Sequence, residues 1–212
     1  MKKKTIIFDF DGTIADTFNT IITLYNKIAP KYNCMLVPDE HRTYLQGQRP
    51  QDVFGDYGIT KMKIPFIIYE IRKALHREIK NIEPIEGIIE TLKEIKNSGF
   101  TLGIMTSNSK KNVGVFLKQH NIEPLFNFIY SGRNIFNKAS VLRKLLKKEM
   151  LERDNVFYIG DETRDIEATK KAKIPMIAVS WGFNDLKSLQ ALSPFATVET
   201  PEALVEKLKG RP

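Results

Sequence analysis

The sequence is poor in cysteine and histidine and has no long apolar run. A single cysteine, Cys34, stands among 212 residues, which excludes an internal disulfide and fits a reducing compartment. The three histidines, His41, His76 and His120, lack the spacing of metal ligands. No apolar stretch approaches the roughly 20 residues of a membrane-spanning helix, and the stretch after the N-terminal lysines ends at Asp9, too early for a signal peptide. We therefore expect a cytoplasmic protein without a membrane partner.

The chain has fewer acidic than basic residues, with 25 aspartates and glutamates against 33 lysines and arginines, which gives a net charge of +8. A basic surface can attract nucleic acid or anionic metabolites. The basic residues, however, are scattered over predicted helices and lack interleaved aromatic residues or a nucleic-acid-binding motif. We interpret them as solvated helix faces and expect no nucleic-acid partner.

Five short apolar runs predict strands, and most are continuous, as in parallel strands that are buried on both faces. These runs are Thr5–Asp9, Thr101–Thr106, Phe126–Tyr130, Val156–Gly160 and Met176–Ser180. Helical patterns follow the later strands, at Lys110–His120, Lys138–Met150 and Glu162–Lys171, and Gly87–Asn97 precedes the second. This alternation predicts an α/β fold with a doubly wound, Rossmann-like parallel sheet, in which sites form beyond the carboxyl ends of strands.

A long segment without a convincing strand separates the first two strands. Its helical patterns lie at Phe18–Ala29, Pro38–Leu45, Gln51–Tyr57 and Ile64–Ile79. We interpret residues 16–82 as an inserted helical cap domain, and residues 1–15 and 83–212 as the α/β core domain. Because the insertion leaves the core directly after the first strand, it should cover the carboxyl end of the sheet.

Two carboxylates, Asp9 and Asp11, end the first strand and precede the turn Gly12-Thr13. Residues two apart on a strand project the same way, so the two carboxylates would repel each other unless a cation or a proton intervenes. An ordinary turn is the simpler interpretation, because aspartate and glycine are common turn residues. The functional interpretation is that one carboxylate is a metal-assisted nucleophile and the other its acid–base partner.

Polar residues also follow the second and third predicted strands. Thr106, Ser107 and Asn108 lead into a helix, where a hydroxyl and backbone N–H groups can hold a phosphate or simply form an N-cap. Lys138 begins the helix after the third strand, where its charge opposes the helix dipole. It is either solvated or placed there to neutralise a phosphoryl group and a carboxylate.

After the fourth strand, Asp161 and Asp165 lie four residues apart at a strand-to-helix junction. First-turn acids stabilise a helix, but Asp161 would also bring a third carboxylate beside Asp9 and Asp11. Such a cluster of oxygen ligands calls for a hard divalent cation and favours Mg²⁺. The effect of the adjacent Glu162 is left open.

Together, Asp9-x-Asp11-Gly12-Thr13, Thr106, Lys138 and Gly160-Asp161-x-x-x-Asp165 resemble the four motifs of the haloacid dehalogenase superfamily, in the same order. With its insertion, the chain is similar to the phosphoglycolate phosphatase-like branch, which has a small helical cap. The resemblance implies that Asp9 attacks phosphorus to form an aspartyl-phosphate and that Asp11 acts as acid and base. It further implies the remaining roles: phosphoryl binding by Thr106, Ser107 and Asn108 with the Gly12-Thr13 turn, charge neutralisation by Lys138, and Mg²⁺ held by Asp9, the Asp11 carbonyl, Asp161 and Asp165.

Dehalogenases of the superfamily lack the second carboxylate of the first motif, so Asp11 favours phosphate chemistry. The resemblance thus implies a Mg²⁺-dependent phosphatase for a small phosphorylated metabolite, with phosphoglycolate as the first candidate. Arg49 could reach an anionic substrate or lie on the surface, and Trp181-Gly182-Phe183 could line the mouth of the pocket or simply pack. A sugar-phosphate mutase of the same superfamily and a non-catalytic binding or regulatory module remain alternatives. We expect a monomer or a homodimer.

Overall fold

The computed structural model describes residues 4–132 and 137–210, which form six strands and ten α-helices. The strands are β1 Thr5–Phe8, β2 Thr101–Thr106, β3 Phe126–Ser131, β4 Val156–Gly160, β5 Met176–Val179 and β6 Ala196–Val198. The helices are α1 Phe18–Ile28, α2 Arg42–Gln46, α3 Pro50–Val53, α4 Ile64–Glu78, α5 Ile88–Asn97, α6 Lys110–Gln119, α7 Lys138–Lys148, α8 Thr163–Ala172, α9 Leu186–Ala191 and α10 Pro201–Lys209.

All six strands form one parallel sheet in the order β3-β2-β1-β4-β5-β6. The central strand, β1, pairs on one side with β2 and on the other with β4, so Phe8 lies level with Ile104 and Ile159. The predicted α/β class and parallel sheet are therefore confirmed. The register also brings the residues just beyond these three strands to one edge.

Helices cover both faces of the sheet, which explains the continuous apolar strands. On one face, Ile6 and Phe8 belong to a buried cluster that includes residues of α5, α6 and α10. On the other face, Ile7 and Tyr158 pack in a second cluster with residues of α7 and α8. Neighbouring residues of β1 thus point to opposite clusters, as strand geometry requires.

The insertion between β1 and β2 is helical. Helices α1 and α4 pack against each other, and a third apolar cluster includes Ile22, Tyr25, Val53 and Ile67. Leu24 and Leu75 from the same helices belong instead to the first core cluster, so the insertion is seated on the core. The division at residues 15/16 and 82/83 stays a prediction.

Several element boundaries differ from those predicted. The pattern at Pro38–Leu45 forms a 3₁₀ turn, Asp39–His41, followed by α2, and the pattern at Gln51–Tyr57 yields only the short α3. Strand β6 and helices α9 and α10 are additional elements. With three residues, β6 is too short for periodicity to reveal it. Within the described residues, no helix is long and apolar enough to cross a membrane.

Candidate active site

The carboxyl ends of β1, β2 and β4 assemble the site. Asp9 directly follows β1, Thr106 ends β2, and Asp161 directly follows β4. The start of α7 adds Lys138. The structure therefore brings together side chains from the four chain segments that the sequence singled out.

Lys138 lies between two carboxylates at the centre of this group. Its ammonium forms ion pairs with Asp9 Oδ2 and Asp165 Oδ1, and the three side chains are 10%, 5% and 0% exposed. Burial opposes the charge of the lysine, but the carboxylates of Asp165 and Asp9 outweigh this effect and raise its pKa above the usual value. Lys138 therefore remains a cation beside Asp9 at neutral pH, and it is not a solvated surface lysine.

Three acidic residues offer a set of oxygen ligands. Carboxylate oxygens of Asp9, Glu162 and Asp165 lie within 4.8 Å of one another, and all three residues are buried. Lys138 pairs with Asp9 and Asp165, and Arg164 pairs with Glu162, yet burial still raises the pKa of Asp165. A buried, oxygen-only donor set with excess negative charge fits Mg²⁺.

Glu162 also supports the fold at the start of α8. Its side chain accepts a hydrogen bond from the Asp165 backbone N–H, and the Asp165 side chain accepts one from the Glu162 backbone N–H. This capping box is the helix-stabilising role considered for the acids of this turn. The same two residues therefore cap α8 and belong to the acidic group, because the capping box holds both carboxylates at the sheet edge.

Asp161 is also buried, and burial together with the nearby carboxylates of Glu162, Asp9 and Asp165 raises its pKa. Its Oδ1 accepts a hydrogen bond from the Thr13 hydroxyl at 2.6 Å, and its Oδ2 accepts one from the Phe183 backbone N–H at 2.7 Å. A Cβ atom at Gly12 or Gly182 would lie 2.3 or 2.2 Å from Asp161 Oδ2, so both positions need glycine. The Thr13 side chain is thus used in this buried contact. The predicted roles of these residues in metal or phosphate binding stay predictions.

A chain of hydrogen bonds leads to Asp11. Asn108 Nδ2 donates to Asp11 Oδ1 at 3.0 Å, and Asn112 Nδ2 donates to Asn108 Oδ1 at 3.0 Å. Asn112 Oδ1 in turn lies 2.6 Å from Nδ1 of His76, which belongs to α4 of the insertion. Removal from water, reinforced by the Asp9 carboxylate, raises the pKa of Asp11 to about 7. Asp11 can therefore hold or release a proton near neutral pH.

The loop after β2 is arranged by its own side chains. The Thr106 hydroxyl accepts a hydrogen bond from the Asn108 backbone N–H at 2.8 Å. Ser109 caps α6 by accepting from the Asn112 N–H at 3.1 Å, so the predicted N-cap exists beside the polar loop. Ser107 and Asn108 line a cavity of about 290 Å³.

This cavity, which we call the catalytic cavity, lies between the sheet edge and the insertion. Asp11, Glu162 and Arg164 line it from the core, together with Phe183, and largely apolar residues of the insertion close the other side. Trp181 donates from Nε1 to the Thr13 carbonyl at 3.2 Å and packs against the core. Of the two aromatic residues considered for the pocket, Phe183 is the one that lines this cavity.

Arg49 is paired with a residue outside the acidic group. It forms an ion pair with Glu167 at 3.4 Å, and its side chain is 41% exposed. It does not line the catalytic cavity, whereas Arg72, on α4, does. This placement matches the surface interpretation of Arg49, and its binding role stays a prediction.

Comparison with known proteins gives consistent similarities. A model of the family described as haloacid dehalogenase-like hydrolase matches residues 6–179. A phosphoglycolate phosphatase from Synechococcus elongatus is 30% identical over 203 residues, covering 96% of each chain. A pyrophosphatase from Bacillus mycoides is 25% identical over 198 residues, covering 92% of this chain and 91% of the relative.

Solved structures show the same fold at lower identity. A structure titled as a predicted phosphatase from Clostridium acetobutylicum has a TM-score of 0.85 at 20% identity, and the match covers 99% of this chain and 100% of that one. A haloacid dehalogenase-like family protein from Streptococcus pneumoniae has a TM-score of 0.80 at 23% identity, with coverage of 97% and 98%.

Proposed function

The chain belongs to the haloacid dehalogenase-like hydrolases, and from this premise we propose that it is a Mg²⁺-dependent phosphatase that forms an aspartyl-phosphate on Asp9. The observation that carries the proposal is the buried contact of Asp9 with Lys138 beside two further carboxylates. Phosphoryl transfer requires positioning and charge neutralisation, and this arrangement supplies both.

Asp9 is the nucleophile in this proposal, and Lys138 holds its carboxylate in place. The Asp9 oxygen bonds to phosphorus as the bond between phosphorus and the leaving oxygen breaks. Asp11 donates its proton to that leaving oxygen and then removes a proton from the water that hydrolyses the aspartyl-phosphate. Its pKa of about 7 suits both steps, because the acid and the base form are both accessible near neutral pH.

The remaining residues hold the phosphoryl oxygens and the metal. In this proposal the Thr106 hydroxyl and the backbone N–H groups near Ser107 and Asn108 bind the oxygens, and the Asn108 N–H exchanges its hydrogen bond to the Thr106 hydroxyl for one to the phosphoryl group. Asp9, Glu162 and Asp165 would hold Mg²⁺, with Asp161 and the Asp11 carbonyl as further candidates. When bound, Mg²⁺ supplies positive charge that offsets the negative charge of the phosphoryl group.

For the substrate, we propose a small phosphorylated metabolite, with phosphoglycolate first. The support is the cyanobacterial phosphoglycolate phosphatase, which is similar over nearly the whole of both chains. We further propose action in the cytoplasm, without nucleic-acid or membrane partners, as a monomer or a homodimer.

The test is hydrolysis of p-nitrophenyl phosphate by purified protein. We expect activity with Mg²⁺ that is lost in excess chelator and restored by added Mg²⁺. Asp9→Asn should abolish activity while circular dichroism remains unchanged, whereas Asn19→Asp, which alters an exposed residue of α1 by the reverse change, should not.

Retained activity in Asp9→Asn would refute the nucleophile. A requirement for a sugar bisphosphate activator, with slow hydrolysis of p-nitrophenyl phosphate, would favour the mutase instead. Salt-dependent nucleic-acid binding without any hydrolysis would favour a non-catalytic module.

A further inference from the structure

A second, larger opening adjoins the site on its outer side. It measures about 810 Å³ and is bordered by the start of α7, one face of α8 and residues 54–64 of the insertion. Lys138 lines it, and Arg164 lines both this opening and the catalytic cavity. The opening, which we call the basic cleft, therefore begins where the phosphoryl group would be attacked.

The basic cleft carries an excess of positive charge. Lys138 is paired with Asp9 and Asp165, and Arg164 with Glu162, so the excess comes from the other three cations of the lining. These are Lys61, Arg143 and Lys171, all three of them exposed. Within residues 4–132 and 137–210, no ion pair engages these three side chains. The acidic residue of the described lining, Glu167, is paired with Arg49, which adds a further cation nearby.

The cations are arranged in rows along two neighbouring helices. Arg143 lies five residues beyond Lys138 on α7, which corresponds to about 7.5 Å along the helix axis. Lys171 lies seven residues beyond Arg164 on α8, or about 10 Å along that axis, and on the same face. Helices α7 and α8 pack side by side. The positive charge thus extends away from Lys138 and is not confined to one point.

We propose that this cleft binds the leaving group of the substrate and that the preferred leaving group is an extended polyanion, a chain of further phosphoryl groups. This proposal rests on the phosphatase activity proposed above, because it assigns the part of the substrate that is not attacked, and it ranks a polyphosphate ahead of phosphoglycolate. Glycolate or a single phosphate is too small to span two rows of cations. A multiply charged chain reaches Arg143 and Lys171 while its terminal phosphorus faces Asp9.

The reaction is the cleavage of a phosphoanhydride. The Asp9 oxygen bonds to the terminal phosphorus and the bond to the bridging oxygen breaks. The bridging oxygen lies where the two openings meet at Arg164, so Asp11 protonates it from the catalytic cavity as the shortened chain leaves through the cleft. Water then attacks the aspartyl-phosphate, which releases inorganic phosphate and regenerates Asp9.

The experiment compares kcat/KM for p-nitrophenyl phosphate, phosphoglycolate, pyrophosphate and tripolyphosphate at fixed free Mg²⁺. We expect tripolyphosphate to be the best of the four. The double variant Arg143→Gln/Lys171→Gln should lower kcat/KM for tripolyphosphate about tenfold more than for p-nitrophenyl phosphate, mainly through KM. Added NaCl should weaken tripolyphosphate hydrolysis in the wild type more strongly than in the variant.

The matched control is Lys144→Gln/Lys187→Gln, which removes the same charge from exposed positions outside the cleft lining and should leave all four values unchanged. A second readout needs no turnover: the Asp9→Asn protein should bind tripolyphosphate in a calorimeter, and adding the cleft substitutions should weaken that binding.

Tripolyphosphate hydrolysis no faster than that of phosphoglycolate would overturn the proposal, as would equal losses in the cleft and control variants. In both cases p-nitrophenyl phosphate would still be hydrolysed, so the phosphatase itself would stand. If no compound is hydrolysed, or if Asp9→Asn stays active, the proposed function fails and this inference fails with it.

Discussion

Replacing Lys138 with methionine tests the electrostatic design of the site without any substrate. Lys138 is paired with Asp9 and Asp165, and none of the three side chains is more than 10% exposed. Removing one partner of a buried ion pair typically costs about 3–5 kcal/mol, because the remaining charge is left uncompensated. Methionine keeps the unbranched stem, so the loss of packing is small. With Arg164 still nearby, we expect the lower end, about 3 kcal/mol at pH 8.

The loss of stability caused by Lys138→Met should depend on pH, and its direction follows from the pKa of Asp165. Burial already raises the pKa of Asp165 above its unfolded value, and loss of the lysine raises it further. A group with a raised folded-state pKa stabilises the fold at low pH, and this contribution is lost as the pH rises through that pKa. The destabilisation by Lys138→Met should therefore be smaller at pH 5, where Asp165 can be protonated, than at pH 8.

The assay is urea unfolding followed by circular dichroism, in excess chelator, at both pH values. Lys144→Met, an exposed substitution on the same helix, should change the free energy of unfolding by no more than about 0.5 kcal/mol. A cost below about 1 kcal/mol for Lys138→Met at pH 8, or the same cost at both pH values, would refute the reasoning.

Two further substitutions address the support of the site. Asn112→Ala removes one of the two hydrogen bonds to Asn108 Oδ1, the other being donated by the Ser109 backbone N–H, and so loosens the contact of Asn108 with Asp11. In steady-state kinetics kcat should fall by up to about tenfold with little change in KM. A change in KM at unaltered kcat would contradict this. Gly182→Ala places a Cβ 2.2 Å from a carboxylate oxygen and should lower the free energy of unfolding by about 1–3 kcal/mol. Its control is Gly114→Ala on α6, where nothing lies within 4 Å of the added Cβ. There, the higher helix propensity of alanine should raise the free energy of unfolding by about 1 kcal/mol. Equal melting temperatures for the two variants would count against the argument.

The sheet and the convergence of the site were accessible from the sequence because both are encoded locally. Most of the longer strands are continuous apolar runs followed by polar residues, and parallel strands bring their carboxyl ends to one edge. This reasoning places Asp9, Thr106 and Lys138 at that edge from the sequence alone. The short β6 could not be predicted in this way, since three residues carry too little pattern.

The choice between neighbouring carboxylates was beyond the sequence. How the oxygens of Asp161 and Glu162 are oriented at the sheet edge depends on how the chain turns from β4 into α8, and on contacts with residues as distant as Thr13, 148 positions away. The link between His76 and Asn112 likewise joins two helices that no local pattern relates. The sequence does show Glu162 as a second acid after β4, but the fold is needed to tell that its carboxylate lies near Asp9.

The hydrogen bond between His76 and Asn112 links the position of the insertion to the chain of hydrogen bonds that ends at Asp11. Displacing α4 from the core would break this contact, at a net cost of about 1 kcal/mol, and would also expose Leu75, which is buried in the first core cluster. Asn112, which donates to Asn108 beside Asp11, would lose this partner, while Asn108 Oδ1 would still accept from the Ser109 N–H. In the proposed mechanism, proton transfer by Asp11 would therefore be most efficient while the insertion is seated on the core.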